Sequence, residues 1–159
     1  MFERFAKILR RAGRIFLRAV RFLSRDLSSG VLLVRMAAWV VVLSLLIRVM
    51  PLPRIMKLIT PRRRHRASTG NSAALQAKLA RLIDLLLGTN FWVFTRTCWK
   101  RAPVLHRYLA LSGIETRIVF GVRREGEGVL NGHAWLEARG EPVLESSVPE
   151  YTVTYSFPA

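Results

Sequence analysis

The chain has 159 residues, of which 51% are hydrophobic, and a formal net charge of +16 at pH 7. This length suits one domain with an appendage, and the apolar fraction excludes a disordered chain. The single cysteine excludes an internal disulfide framework and a thiolate-based zinc site, because both need several cysteines.

The positive charge is concentrated in the N-terminal part of the chain. Residues 1–66 hold 16 Lys and Arg against 2 acidic residues, a net of +14, whereas residues 67–159 hold 10 against 8, a net of +2. This asymmetry predicts a basic, apolar helical arm and linker over 1–66, followed by a separate domain over 67–159. It argues against nucleic acid as the partner, because that interpretation leaves the apolar side of the arm unexplained.

The first predicted element is a basic amphipathic helix over 2–27. Its apolar residues recur mostly at steps of three and four, with arginines and one lysine between them. Such a helix is typical of a membrane interface with anionic headgroups, or of a surface that docks on a partner. The alternative is that its apolar side covers the core of the protein itself. We predict membrane-surface or partner contact through residues 2–27.

A second, strongly apolar helix is predicted over 31–50, after a break at 28–30. Its apolar run, 36–47, is shorter than the roughly 20 residues that a membrane-spanning helix needs. With Arg35 and Arg48 extended to the headgroups the whole stretch could just cross a bilayer, but we expect a buried or half-inserted helix. The N-terminus lacks the order of charged, apolar and small-residue regions that marks a secretory signal. The predicted location is therefore cytoplasmic, or peripheral at the inner face of the cell membrane.

Prolines and a basic run separate these helices from the rest of the chain. Pro51 and Pro53 end the second helix, and 54–59 can add one or two helical turns. The run 62–66 contains four arginines and His65 and leads into a polar linker. A charge run of this kind usually indicates a solvated surface.

Two further helices are predicted after the linker. The first begins at Ser72, a good N-cap residue, and carries leucines along one face. The second holds Cys98 near its start, where Thr95 or Thr97 can serve as the N-cap, and it runs to Gly113.

Beyond this helix the pattern changes from helical to strand-like. Strands are predicted over 116–122, 133–138, 142–144 and 151–157. Charged, glycine-containing stretches at 124–128 and 139–140 indicate hairpin turns. Helices followed by consecutive strands indicate an α+β domain with an antiparallel sheet.

Cys98 is the candidate nucleophile. The free N–H groups and the dipole at the start of a helix stabilise a thiolate, and the same N–H groups can bind the oxyanion of a tetrahedral intermediate. The alternative is a small buried apolar residue, a common role of free cysteine. His133 is the candidate base, because it lies in a strand and can take the thiol proton. His65 and His106 are poorer candidates, since one lies in the basic linker and the other on the Cys98 helix.

A third group is needed to orient the imidazole, and two glutamates compete for this role. Glu145 follows the strand after the 139–140 turn, so a hairpin would bring it towards His133. Glu137 shares the face of His133 but lies about 13 Å along the strand, too far for a direct bond. We therefore predict Glu145 as the third group and Glu137 as a structural salt-bridge partner.

Several spaced motifs resemble the transglutaminase-like cysteine protease family of lasso peptide biosynthesis, over roughly residues 70–147. They are Cys98 to Ala102, Leu109 through Gly113, Gly121 with Val122, and His133 to Glu137 with Gly140. The resemblance implies a papain-like or transglutaminase-like fold, in which a Cys-bearing helix packs on an antiparallel sheet and N-terminal helices precede it. Cys98 matches the nucleophile, His133 the base, and Glu145 the position where the family usually has Asp.

The same resemblance implies a function and partners. Members of that family remove the leader from a precursor peptide, and a cyclase similar to asparagine synthetase then closes the macrolactam ring with ATP. We expect no leader-recognition domain within this sequence, and in the family that domain is either fused to the peptidase or encoded separately. A separate leader-recognition protein is therefore an expected partner, and no cofactor or metal is expected. Two alternatives are an acyltransferase with the same triad and a non-catalytic, membrane-associated scaffold of a peptide-maturation complex.

Overall fold

The computed structural model describes residues 27–61, 72–126, 128–145 and 150–158. In these ranges the elements are α1 (Leu27–Leu46), α2 (Leu52–Ile59), α3 (Ser72–Leu87), α4 (Cys98–Leu111), β1 (Arg117–Glu125), β2 (Val129–Ala138), β3 (Glu141–Val143) and β4 (Thr152–Phe157). The α+β class is confirmed. The predicted helix over 2–27, apart from its last residue, and the basic run over 62–66 with His65 lie outside the described residues.

The strands form one antiparallel sheet in the order β3-β2-β1-β4. β1 and β2 pair along their whole length, from Arg117 opposite Glu137 to Glu125 opposite Val129. β2 therefore begins at Val129 and not at His133 as predicted, because its first residues gain ladder partners on an extended β1. The turn at 139–140 is confirmed as a two-residue loop in which both residues have positive φ, the geometry that suits the twist of a hairpin.

α1 differs from the predicted second helix at both ends. It begins at Leu27, so the serines and glycine at 28–30 lie inside it and do not break it. Ser29 and Gly30 are buried, and packing there outweighs their weak helix propensity. The helix ends at Leu46 and not at Met50, which precedes Pro51 and is therefore disfavoured in a helical conformation.

One hydrophobic core joins the helices to one face of the sheet. Its largest fully buried side chains are Met36, Ile55, Met56, Ile59, Leu79, Leu82, Ile83, Leu87, Leu105, Leu109, Ile118 and Leu136. α1 and α2 thus pack in the same core as the elements after residue 71. The predicted division of the chain at residue 66 stays a prediction.

Two polar side chains of α4 tie it to the earlier helices. His106 is buried, with Nδ1 3.0 Å from the Thr116 hydroxyl and Nε2 3.3 Å from the Thr60 hydroxyl at the end of α2. Arg107 donates to the carbonyl of Ile59 at 2.7 Å and lies 3.9 Å from the ring centroid of Trp39 in α1. His106 therefore has a structural role, and α4 is held by α1 and α2 as well as by the sheet.

Candidate active site

Cys98 is the first residue of α4, as predicted. Thr97 is its N-cap, with extended backbone angles, and its carbonyl accepts from the N–H groups of Lys100 and Arg101 at 3.2 and 3.1 Å. The Thr97 side chain makes no capping hydrogen bond. The N–H groups of Cys98 and Trp99 are consequently the first two of the helix and have no acceptor within it.

Lys100 anchors the segment that leads into Cys98. Its side chain is buried, and its ammonium group donates to the carbonyl of Val93 at 2.6 Å and to the hydroxyl of Thr95 at 2.7 Å. Burial lowers the pKa of Lys100 from its ordinary value. The ammonium group of Lys100 therefore holds Val93 and Thr95 against the first turn of α4, a role that the sequence did not reveal.

The thiol of Cys98 lies beside the strand that carries His133. Its Sγ donates to the carbonyl of Gly132 at 3.9 Å, and His133 is the next residue along β2. Among the described contacts, none joins Sγ to the imidazole directly. The His133 ring stacks on Trp135 with a centroid distance of 5.9 Å and lies 5.3 Å from the ring of Tyr151. These aromatic rings fix the plane of the imidazole.

Glu145 lies near His133, as predicted from the hairpin turn at 139–140. Its Oε2 lies 3.5 Å from Nε2 of His133, and its side chain is 18% exposed. This distance is longer than the about 2.7–2.9 Å of a charge-assisted hydrogen bond. Leu144, just after β3, has a φ of 63°, an uncommon left-handed conformation for a leucine. That conformation interrupts the strand alternation, which would otherwise direct Glu145 to the face covered by the helices.

Glu137 is paired elsewhere and does not compete for His133. Its Oε2 accepts from Arg117 on β1 at 2.8 Å, and its Oε1 accepts from the indole N–H of Trp135 at 3.0 Å. The prediction of a salt bridge to an arginine on a neighbouring strand is confirmed. Glu137 also holds Trp135, on which the imidazole stacks.

Arg101 and Asp84 extend the site away from His133. The sequence interpretation missed both residues. Arg101 donates to Glu145 Oε1 at 3.4 Å and to the Leu144 carbonyl at 3.4 Å, and its Nε donates to Asp84 on α3 at 2.8 Å. The contacts therefore run from His133 through Glu145 and Arg101 to Asp84. A signal was present in the sequence, since Asp84 is the sole acidic residue between 27 and 114.

Gly121 faces His133 across the β1–β2 pair and is buried. A Cβ atom at Gly121 would lie 2.7 Å from Cβ of Tyr151 and 3.0 Å from the Trp135 ring. The missing side chain thus lets both aromatic residues close around the imidazole. Gly132, the neighbour of His133, is different, because a Cβ atom there would come no closer than 4.0 Å to another group.

We expect Gly121→Ala to destabilise the fold by about 1–3 kcal/mol, because the added methyl group overpacks the space under Tyr151 and Trp135. Gly132→Ala is the matched control in the adjacent strand and is expected to change stability by less than about 0.5 kcal/mol. Urea unfolding of both variants measures the difference. Equal stability of the two variants would contradict the assigned role of Gly121.

An open recess of about 410 Å³ lies beside Asp84. It is lined by Arg81, Asp84, Leu85, Gly88 and Arg96. Within the parts of the chain that the structure describes, no three or more His, Cys, Asp or Glu side chains are placed to hold a metal ion.

The candidate residues are Cys98, His133 and Glu145. The chemistry that they can perform is nucleophilic attack by a thiol, with a histidine as the base.

Comparison with models of protein families identifies a related family. The model of a family described as the Transglutaminase-like superfamily matches residues 39–156, which is most of the chain. No curated protein and no solved structure matches it.

Proposed function

This chain belongs to the transglutaminase-like superfamily, and we propose that it is a cysteine peptidase that removes the leader from a ribosomally made lasso peptide precursor. The superfamily includes cysteine peptidases and acyltransferases. The observation that carries the proposal is the placement of three groups. Cys98 starts α4 beside Gly132, His133 follows Gly132 directly, and the imidazole lies 3.5 Å from Glu145.

The first step is formation of the nucleophile. Nε2 of His133 faces Glu145, which leaves Nδ1 as the nitrogen that accepts the proton of the Cys98 thiol. The carboxylate of Glu145 orients the ring and stabilises the imidazolium that forms. The Cys98 thiolate then attacks the carbonyl carbon of the scissile amide, and the carbonyl oxygen becomes an oxyanion.

The start of α4 supports the second step. The N–H groups of Cys98 and Trp99, which have no acceptor within the helix, can donate to the oxyanion. When the intermediate collapses, the C–N bond breaks and the departing amine takes the proton from His133. Water, deprotonated by His133, then attacks the thioester, releases the leader as a carboxylic acid and regenerates the thiol.

The segment just before Cys98 offers a surface for the peptide. Phe91 and Trp92 are 63% and 73% exposed, although both are large apolar side chains. Trp92 has a φ of 49°, a strained conformation for a bulky residue. Lys100 holds this segment through the backbone carbonyl of Val93 and the side-chain hydroxyl of Thr95. Exposed aromatic rings on a fixed backbone suit contact with an extended substrate.

The partners follow from the proposed reaction. The substrate is the precursor peptide, a separate leader-recognition protein presents the leader, and an asparagine-synthetase-like cyclase takes the released core peptide. These steps take place in the cytoplasm or at the inner face of the membrane. All of them are part of the proposal and rest on the resemblance of the motifs around Cys98 and His133.

Mass spectrometry of the products tests the proposal. A candidate precursor is incubated with this protein and its leader-recognition protein, and the expected products are the core peptide and a leader that has gained one water. A leader joined to an added amine would instead identify an acyltransferase. An intact precursor after prolonged incubation would favour the scaffold, in which case iodoacetamide should react with Cys98 no faster than with a free cysteine at neutral pH.

Arg101 is expected to act as a positioning residue for Glu145. Arg101→Met should lower kcat about tenfold with KM nearly unchanged, because Glu145 loses the donor that holds it beside His133. The loss of stability should be about 1 kcal/mol, since the ion pairs are partly solvated. Steady-state kinetics and urea unfolding measure the two effects.

The matched control is Asp84→Asn, which weakens the other ion pair of Arg101 and leaves its contact with Glu145. We expect this variant to lose a similar amount of stability and to keep kcat within about twofold. Equal losses of kcat in both variants would mean that Arg101 serves the fold and does not position the carboxylate.

A further inference from the structure

We propose that α1 docks on an anionic lipid surface through a patch that we call the outer face of α1, defined by Val31, Val34, Ala38, Val42 and Leu45. These residues recur at steps of three and four and are all exposed. Val31, Val34 and Leu45 are 60%, 64% and 56% exposed. The face runs for about 21 Å along the helix at 1.5 Å per residue. This inference does not depend on the proposed peptidase activity.

The opposite side of α1 is already occupied. Met36, Val40 and Leu43 are buried in the core. The helix is therefore apolar on both sides, and the protein core covers only the side opposite the outer face of α1. Helices that are apolar all round are normally buried on all sides or surrounded by lipid. By length and composition Ser28–Leu46 is long and apolar enough to cross a membrane, with a mean hydropathy of 2.1, although a core helix of a soluble protein meets the same criteria. Since one third of this stretch is buried in the protein, we infer that it lies along the membrane surface.

The apolar surface continues beyond the helix. Ile47 and Val49 in the turn after α1, and Leu58 on α2, are 43%, 77% and 52% exposed. Most of the exposed large hydrophobic side chains of the described residues lie between 31 and 58. Exposed apolar residues that are concentrated in one part of the chain are typical of an interaction surface, whereas scattered ones are not.

Charge identifies the partner as an anionic surface. Arg35 on α1, Arg48 just after it, and Arg54 and Lys57 on α2 are all exposed. The sequence from 27 to 83 contains no acidic residue. Arginine side chains can extend from an apolar contact to phosphate headgroups, and each basic residue near an anionic leaflet adds to binding. A second copy of the chain is a poorer occupant, because the same arginines would then face one another.

A flotation assay with the full chain tests the surface. The probe is a vesicle of phosphatidylcholine and phosphatidylglycerol in equal parts, and pure phosphatidylcholine vesicles are the charge control. We expect Val34→Glu with Leu45→Glu to weaken binding about tenfold or more, because two apolar contacts become acidic. The matched control is Val129→Glu with Val153→Glu, which changes the net charge equally at exposed positions on the sheet and should bind within about twofold of the original chain.

The single cysteine permits a second measurement. In a Cys98→Ala chain, Val34→Cys, Leu45→Cys or Val153→Cys provides one thiol for a polarity-sensitive fluorophore. We expect a blue shift of emission on the mixed vesicles for probes at 34 and 45 and none for the probe at 153. Circular dichroism of each variant verifies that the fold is retained.

Each outcome decides the inference. The inference is supported if Val34→Glu with Leu45→Glu loses binding while the control variant of the sheet keeps it, and if probes at 34 and 45 show blue shifts. Binding that is unchanged in that variant would place the contact elsewhere, for example in residues 2–27, and would overturn the inference for α1. Failure of the full chain to float with mixed vesicles would also overturn it and would leave a protein partner for the outer face of α1.

Discussion

Replacing Cys98 with alanine is expected to abolish leader cleavage, with kcat/KM reduced by a factor of at least about 10⁴. The thiol is the proposed nucleophile, and the hydroxyl of Thr95, three residues earlier in the sequence, is held by Lys100. The fold should remain intact, because the side chain is half-buried and its Sγ makes a single weak hydrogen bond, to Gly132. Product analysis by mass spectrometry and urea unfolding measure the two properties.

Cys98→Ser is the more demanding control for this prediction. The hydroxyl matches the thiol in shape but is far harder to ionise, so we expect cleavage to stay at least about 10² below that of the original chain. A Cys98→Ala variant that matured the precursor at the original rate, in the presence of the leader-recognition protein, would remove Cys98 from the mechanism.

Replacing Glu145 with glutamine is expected to lower kcat by about 10²–10⁴. The amide has nearly the same shape, but it carries no charge to stabilise the imidazolium, and its NH₂ group can turn towards Nε2 of His133 and disturb the ring. KM should change little, since Glu145 does not contact the peptide in the proposed mechanism. Steady-state kinetics with the precursor separate the two parameters.

Two further variants show whether this effect belongs to Glu145. Glu145→Asp keeps the negative charge but moves it further from Nε2 of His133, so we expect a smaller loss of kcat than in Glu145→Gln. Glu137→Gln is the matched control on the same sheet. The amide oxygen of glutamine still accepts from Trp135 and only the ion pair with Arg117 is lost, so we expect kcat to change by less than about threefold. A loss of kcat in Glu137→Gln as large as in Glu145→Gln would contradict the assignment of the third group.

The helices before residue 61 contribute to the position of the site. α4 carries Cys98 at its start, and its middle is tied to α1 by Arg107 on Trp39 and to α2 by the bond to Ile59. The described part of the N-terminal region, residues 27–61, thus packs against the helix of the candidate nucleophile. A surface that binds lipid through α1 would hold the site close to the membrane.

Several features could be predicted because they depend on neighbours in the sequence. Cys98 was placed at a helix start from the threonines before it, and His133 was placed in a strand from the alternation around it. The pair at 139–140 predicted a tight turn, and that turn sets the register that brings Glu145 back to His133. The rise of a strand puts Glu137 too far from His133 for a direct bond, and this distance predicts that Glu137 forms a salt bridge instead.

Other features arise from contacts between distant residues. Ser29 and Gly30 predict a break in the helix from sequence alone. They lie inside α1 because they are buried against other elements. Leu144 has no sequence signal for its left-handed conformation, which redirects Glu145. Arg101 reaches Asp84 and Glu145, which lie 17 and 44 residues away in the sequence.

The sequence by itself determined the local order of the site: a thiol at a helix start, a histidine in a strand, and an acid after the next turn. It did so because capping, strand alternation and turn chemistry depend on a few adjacent residues. Only the tertiary structure decided which groups surround the imidazole and which side of α1 stays exposed. Those depend on how helices and sheet pack, and packing joins side chains that no local pattern connects.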